Sequence, residues 1–404
     1  MLCLVAGSQW GMLVLAGVYL HDDRMVSRTS PEAVAGLLAI ILALLVVRVR
    51  SRSHLKADAV FLWLAGFLVV ACVGEVLRPD LRLGNVSTFI SIGAFYLVGS
   101  AIGHDLSVRR AMLPLAPALL VIYSIWYLWI LYFFMTGDLG FFGGLPGSDI
   151  ARFQFRDGFS ATEIPIYIGF QLPILICILA TTGWLRIWAG LLLCSALALV
   201  GASASFGAMA ATGLVFLVFL VSFRGLSWKA ILLSAGVLAV TILVAMSVSQ
   251  GLVNSVNQKI LDFSVGEGVR ALIYTQLVTD IVDDPLGIGK GRFVETNNFS
   301  WLGEGVYPHN NLLGIAAELG VPALVLFVLF LCSAVSRLAR VALDDNHPLG
   351  YPARMFVAAV LAMMVYQQFR GLFQDTWVIR EMYFWLGLAM GMIVASKQKE
   401  AAIP

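Results

Sequence analysis

Long apolar runs separated by short polar connections constrain this chain more than any other feature. A run of about 17–25 apolar residues is long enough to cross a lipid bilayer as a helix. Such runs begin near Leu2, Ala33, Ala59, Val86, Met112, Thr162, Ile187, Ser205, Ala230, Asn311, Met355 and Ile379. They predict an all-α polytopic membrane protein of about 12 transmembrane helices, with residues 1–404 forming one integral membrane domain and both termini on the same side. Composition agrees: the chain is 60% hydrophobic and only 12% charged, about half the globular average. The first run lacks a basic leader and precedes His21-Asp22-Asp23 rather than a small-residue cleavage site, so it reads as an anchor, not a removed signal peptide.

Orientation follows from Lys and Arg in the connections. Of the 26 such residues, Arg48, Arg50, Arg52, Lys56, Arg109, Arg110, Arg186, Arg224, Lys229, Arg337, Arg340, Arg354, Lys397 and Lys399 share one side, which is therefore read as cytoplasmic together with both termini. The remaining twelve face the other side, and six of those lie in the long segments 137–161 and 249–310, whose charges do not orient a chain. The net charge of +2 is divided between two membrane faces and gives no sign of nucleic acid. All five cysteines fall inside apolar runs, where a thiol behaves as a small hydrophobe, and no Cys-x-x-Cys pair suggests a metal. His21 beside Asp22 and Asp23 reads as a solvated loop rather than a metal site.

Segment 249–310, between the ninth and tenth runs, is too long to be a plain connector. Within it Val269, Leu272, Ile273, Leu277, Ile281 and Val282 recur at helical spacing, predicting a short amphipathic helix in the interface plane that Asp283-Asp284-Pro285 would end. Next comes Pro285-Leu286-Gly287-Ile288-Gly289-Lys290-Gly291-Arg292. Its alternating glycines would let backbone N–H groups converge on an anion, and Lys290 and Arg292 add charge. The other outer segment carries Arg152 and Arg156, which either snorkel and pair locally or add to the same charge.

Tyr307-Pro308-His309-Asn310-Asn311 places a titratable His where this polar loop meets an apolar run. If Asn310 caps the helix, His309 lies outside it. Glu318, further into that run, reads as structural support, since an acid in lipid turns toward protein or water. Gly201 with Ser205, and Ser203 with Gly207 and Ala211, are spaced for close helix packing. Pro114, Pro117, Pro165 and Pro173 are expected to kink or break their helices.

His309-Asn310, nine residues and then Gly320, with Glu318 two before it, resembles the His-[Asn/Ser/Gln]-x9-Gly motif of the O-antigen ligase and Wzy-type polymerase superfamily. Pro285-Leu286-Gly287-Ile288-Gly289 resembles that family's Pro-x-Gly-x-Gly element, and Arg270 stands where the family's preceding Arg is found. The resemblance covers roughly 195–330 and includes the long periplasmic loop between spans 9 and 10. Two positions depart from it: Ser205-Phe206-Gly207 replaces a frequent Ser-Arg-Gly, and Ala323 stands where Gly, Thr or Tyr is usual.

The resemblance implies a GT-C-like, multi-pass enzyme of the bacterial inner membrane with its active site on the periplasmic face. It implies transfer of a glycan from undecaprenyl diphosphate to a sugar hydroxyl with inversion, without metal or other cofactor. In that chemistry His309 is the general base and Arg270 the clamp on the leaving diphosphate. Arg292, Lys290, Arg156, Arg152 and Asn310 would bind diphosphate or glycan, while Glu318, Gly287, Gly289 and Gly320 support the site. The implied partners are the lipid-linked oligosaccharide, a glycan or lipid A-core acceptor, the bilayer, a chain-length regulator and a flippase. The altered Ser-Arg-Gly element favours an O-antigen or exopolysaccharide polymerase, with O-antigen ligase as the alternative. A secondary transporter would share the span count, yet ionisable residues gather at the predicted outer ends rather than at the midplane where coupling sites sit.

Overall fold

The computed structural model describes residues 59–109, 112–137, 139–143, 151–155, 163–181, 183–203, 205–222, 236, 269–296, 308, 310–372 and 377–401. The runs predicted at Leu2, Ala33 and Ala230 lie outside these residues. Over the others the chain is mostly helical: α1 Ala59–Val76, α2 Leu83–Arg109, α3 Met112–Thr136, α4 Glu163–Thr181, α5 Arg186–Ala202, α6 Phe206–Ser222, α7 Val269–Asp283, α8 Phe293–Thr296, α9 Asn311–Leu319, α10 Val321–Leu343, α11 Tyr351–Gly371 and α12 Arg380–Ala401. Among the described residues four helical segments are long and apolar enough to cross a membrane: Ala59–Val76, Leu83–His104, Ala116–Thr136 and Val321–Leu343. Shorter apolar helices cover Ile164–Ala180, Arg186–Ala202 and Gly207–Ser222. These lengths and compositions make the chain a helical membrane protein.

A short hairpin interrupts the helices: β1 Leu139–Gly143 pairs antiparallel with β2 Ala151–Phe155, Leu139 opposite Phe155 and Gly143 opposite Ala151. Phenylalanines suit a strand, and Gly144, Pro146 and Gly147 supply turn formers between the two segments in sequence.

The described helices fall into two compact units. One holds α3, the hairpin, α4, α5, α6 and α11. Within it α3 continues past Pro117 and α4 past Pro173, so these prolines do not end their helices. The start of α4 is joined to α11 by buried polar groups: the Tyr366 hydroxyl donates to Pro165 O (2.7 Å) and Gln367 Nε2 to Ile166 O (3.0 Å). Gly169 permits this approach, because a Cβ there would overlap the Tyr366 ring. Arg370 Nη1 donates to Ser205 Oγ at 2.8 Å, tying the end of α11 to the residue before α6. The chain turns between α5 and α6, so Gly201 with Ser205 and Ser203 with Gly207 straddle a break instead of sharing a helix face. At that turn Ser203 N–H and Oγ–H bond back to Leu199 O and Val200 O, which closes α5 and corrects the packing role expected of these pairs.

The other unit holds α1, α2, α7 to α9, most of α10, and α12. Its closest helix pair rests on glycines the sequence reading passed over. A Cβ on Gly99 or Gly103 of α2 would strike the Phe384 or Leu388 carbonyl of α12, and a Cβ on Gly387 or Gly391 would strike the Tyr96 or Ser100 carbonyl of α2. Two Gly-x-x-x-Gly faces thus meet backbone to backbone. The partner numbers rise together, so α2 and α12 run parallel. Beside this seam, Phe67, Phe89 and Trp377 form an aromatic core, with Phe67 edge-on to Trp377 at 5.8 Å and Phe89 stacked on it at 6.2 Å.

Candidate functional site

α7 ends where Asp283-Asp284-Pro285 predicts, with Asp284 Oδ1 accepting from Leu286 N in a turn. Its Ile273 and Leu277 are buried against Phe293 and Ala317, with Tyr274, Ile281, Ile288 and Leu313 packed around them. The predicted stripe therefore divides. One strip of α7 packs on protein, while Leu272 and Val282 remain exposed.

The tenth predicted run is two helices, not one. Asn310, extended at φ −153° and ψ 118°, caps α9: its Oδ1 accepts from Leu312 N (3.0 Å) and Leu313 N (3.1 Å). Pro308 packs over the first turn, within 3.1 Å of where a Cβ on Gly314 would lie. His309 itself lies outside the described residues, between these two fixed neighbours. Asn310→Ala is expected to destabilise the protein by about 1 kcal/mol, while Asn310→Asp, which keeps the acceptor, should unfold like the parent. Thermal unfolding of the purified variants measures both.

α9 ends at Leu319 because the glycine-rich loop caps it. Ile288 N–H donates to Ala317 O and Gly289 N–H to Glu318 O, both at 2.8 Å, and Val321 N–H donates to Pro285 O at 2.9 Å. The last-turn carbonyls of α9, otherwise orphaned, are satisfied by a loop some thirty residues earlier. Close approach makes glycine necessary on both sides: a Cβ at Gly287 would sit 2.7 Å from Glu318 O, and one at Gly320 would sit 2.5 Å from Leu286 O. Both have positive φ, at 90° and 92°. The backbone nest expected from the glycine spacing does not form. The N–H groups of Gly287, Ile288, Gly289 and Arg292 all donate to protein carbonyls, so the spacing serves docking of the loop rather than an anion.

The connection between α1 and α2, with the adjoining helix ends, grips this loop. Arg78 donates from Nη2 to Gly287 O and from Nη1 to Ile288 O (2.5 Å). Asn85 Nδ2 donates to Lys290 O and to the buried Glu75 carboxylate, both at 3.0 Å. Arg292 Nη2 pairs with Asp80 Oδ1 and Arg82 Nη2 with Glu295 Oε2, each at 2.5 Å. The hydrogen-bonded guanidinium of Arg292 holds the Asp80 carboxyl below the usual carboxylate range, and Arg82 does the same for Glu295. Lys290 Nζ lies over the Trp377 ring, 5.9 Å from its centroid.

The structure thus brings Lys290, Arg292, Asn310, Glu318, Gly287, Gly289 and Gly320 into one unit around α9. Glu318 is buried. Arg270 falls in the first turn of α7 and Arg152 in β2, where only their backbone is described, and Arg156 lies outside the described residues. Sequence reasoning missed Arg78, Asp80, Arg82, Asn85 and Glu295. Their one signal was the density of charge in Arg78-Pro79-Asp80-Leu81-Arg82, between two apolar helices.

Among the described residues no group of three or more His, Cys, Asp or Glu side chains is placed to hold a metal. A search of curated proteins finds no match. A family profile described as O-Antigen ligase matches residues 189–328, a stretch that runs from α5 into α10 and contains both motif elements. Within residues 189–328 the glycine-rich loop and the helix after His309 lock together, and over that stretch the chain is similar to the O-antigen ligase family.

Proposed function

We propose that this chain is an inner-membrane glycosyltransferase that moves a glycan from undecaprenyl diphosphate to a sugar hydroxyl on the periplasmic side, acting as a repeat-unit polymerase. The observation that carries this reading is the docking of the Pro285–Gly289 loop onto the helix that follows His309, inside the family match. It fixes the cation-bearing loop relative to the start of α9.

In the reaction, the acceptor oxygen bonds to the anomeric carbon as the bond from that carbon to the lipid diphosphate breaks, with inversion. The acceptor proton passes to His309, whose unperturbed pKa near 6.5 suits a base at neutral pH. Negative charge grows on the leaving diphosphate, and a guanidinium held in place meets it with a fork of donors that stays protonated. Arg270 is that clamp, with Lys290 and Arg292 adding positive charge from the loop. Arg270→Lys keeps the charge but loses the fork, so transfer should fall at least about tenfold, since a bidentate site does not tolerate the exchange. Parental rates in a well-expressed Arg270→Lys protein would contradict the assignment.

The ligase reading has one observation in its favour, the description of the matched family. In it the donor half of the site is unchanged and the acceptor is lipid A-core.

A further inference from the structure

We propose that the outward side of α7 is a lipid-contact surface, covered by the hydrocarbon of the bilayer beside the ends of α1 and α2. The inference goes beyond the glycosyl-transfer reading and does not depend on it. On a helix of 3.6 residues per turn, Leu272, Thr275, Val278, Thr279 and Val282 fall within an arc of about 120°. That arc lies opposite Ile273 and Leu277, which pack on Phe293 and Ala317. Leu272, Val278 and Val282 are each more than half exposed, and Leu286, just past the helix end, is 72% exposed. A loop helix washed by water carries charge on its outer face. No charged residue falls in this arc. α7 is therefore apolar on two opposite sides, and protein covers one of them.

The polar groups of the other side are closed off within the helix. Thr275 Oγ1 donates to Ala271 O at 2.9 Å and Thr279 Oγ1 to Thr275 O at 3.1 Å, so both hydroxyl protons are taken by the helix's own carbonyls. On the flank, Gln276 Nε2 donates to Asp280 Oδ1 at 2.7 Å. Water makes no such demand, whereas hydrocarbon requires every polar group to find its partner inside the protein. Continuity adds a second argument. α1 and α2 are both long and apolar enough to cross the membrane, and exposed Val76, Leu77 and Leu83 mark where their connection leaves it. Arg78 of that connection holds the carbonyls of Gly287 and Ile288, which directly follow Leu286. The end of α7 is thus tied to the level at which two spanning helices reach the membrane surface. Lipid is the occupant, because the strip runs on from apolar helix ends that already meet the bilayer. α7 is then a wall between α9 and the bilayer, packed on protein by one side and on lipid by the other.

The test is photocrosslinking in the full-length chain, reconstituted in phosphatidylcholine vesicles. p-Benzoylphenylalanine replaces Leu272, Val282 or Asn346 in turn; all three are exposed, so the probe displaces no core side chain. Asn346 lies in the polar connection between α10 and α11 and serves as the reference. After irradiation, mass spectrometry of protein with parental thermal stability should find phosphatidylcholine adducts at positions 272 and 282 at least about tenfold more often than at 346. Adducts to a second copy of the chain in place of lipid would assign the strip to an interface between copies and overturn the proposal. Lipid capture at 272 and 282 no greater than at 346 would show that water covers the strip, and would overturn it as well. Either result leaves the transfer reading standing, because no transfer is measured.

Discussion

A His309→Ala protein is expected to express, insert and bind lipid-linked donor like the parent, yet to transfer glycan at least ~10²-fold more slowly. General-base catalysis typically contributes ~10²–10⁴-fold, and no other histidine lies in the family match. The fold should survive the change, because the structural tasks at this junction belong to neighbours. Asn310 caps α9, and Pro308 packs on Gly314. Transfer assays on protein of matched thermal stability check this. Undiminished transfer would remove His309 from the mechanism.

Gly320→Ala should damage both the fold and the activity. Gly320 adopts φ 92° and ψ 163°, a region that is essentially glycine-only and costs other residues of order 1–3 kcal/mol. The added methyl would also press on the Leu286 carbonyl at 2.5 Å. Relief requires the glycine-rich loop to lift from α9, which breaks the bonds from Ile288 to Ala317 and from Gly289 to Glu318. Thermal stability and transfer should therefore fall together. Gly137→Ala, also at positive φ but with nothing within 4 Å of the added Cβ, should lose some stability and keep its transfer rate. Equal behaviour of the two variants would show that loop docking is irrelevant to activity.

Much of the local structure could be read from residues, because its causes are local. Asp283-Asp284-Pro285 stops α7, Asn310 starts α9, and apolar runs become helices. What escaped reading depends on distant partners. The sequence from Asn311 onward reads as one continuous apolar run, and Gly320 at positive φ together with the Ile288 and Gly289 amides bonded to the last-turn carbonyls ends the helix at Leu319. The alternating glycines resemble an anion nest until the partners of the loop amides are in place, Asp284 O for Gly287 and the α9 carbonyls for Ile288 and Gly289. Arg82 and Glu295 are 213 positions apart, so no local pattern pairs them. The small-residue spacing around Gly201 misled because a turn intervenes, whereas the glycines that pack α2 on α12 carry equal spacing and meet across the fold. Charge density between two apolar helices was the one available clue to the grip on the loop.

The most direct test of the central claim reconstitutes the purified chain with an undecaprenyl-diphosphate-linked repeat unit and no other enzyme, and resolves the products on a gel. The account predicts a ladder of lengthened lipid-linked glycan that is absent with His309→Ala. Product formed only when lipid A-core is added would make the protein a ligase. Silence with both acceptors, using native donor, would contradict glycosyl transfer altogether.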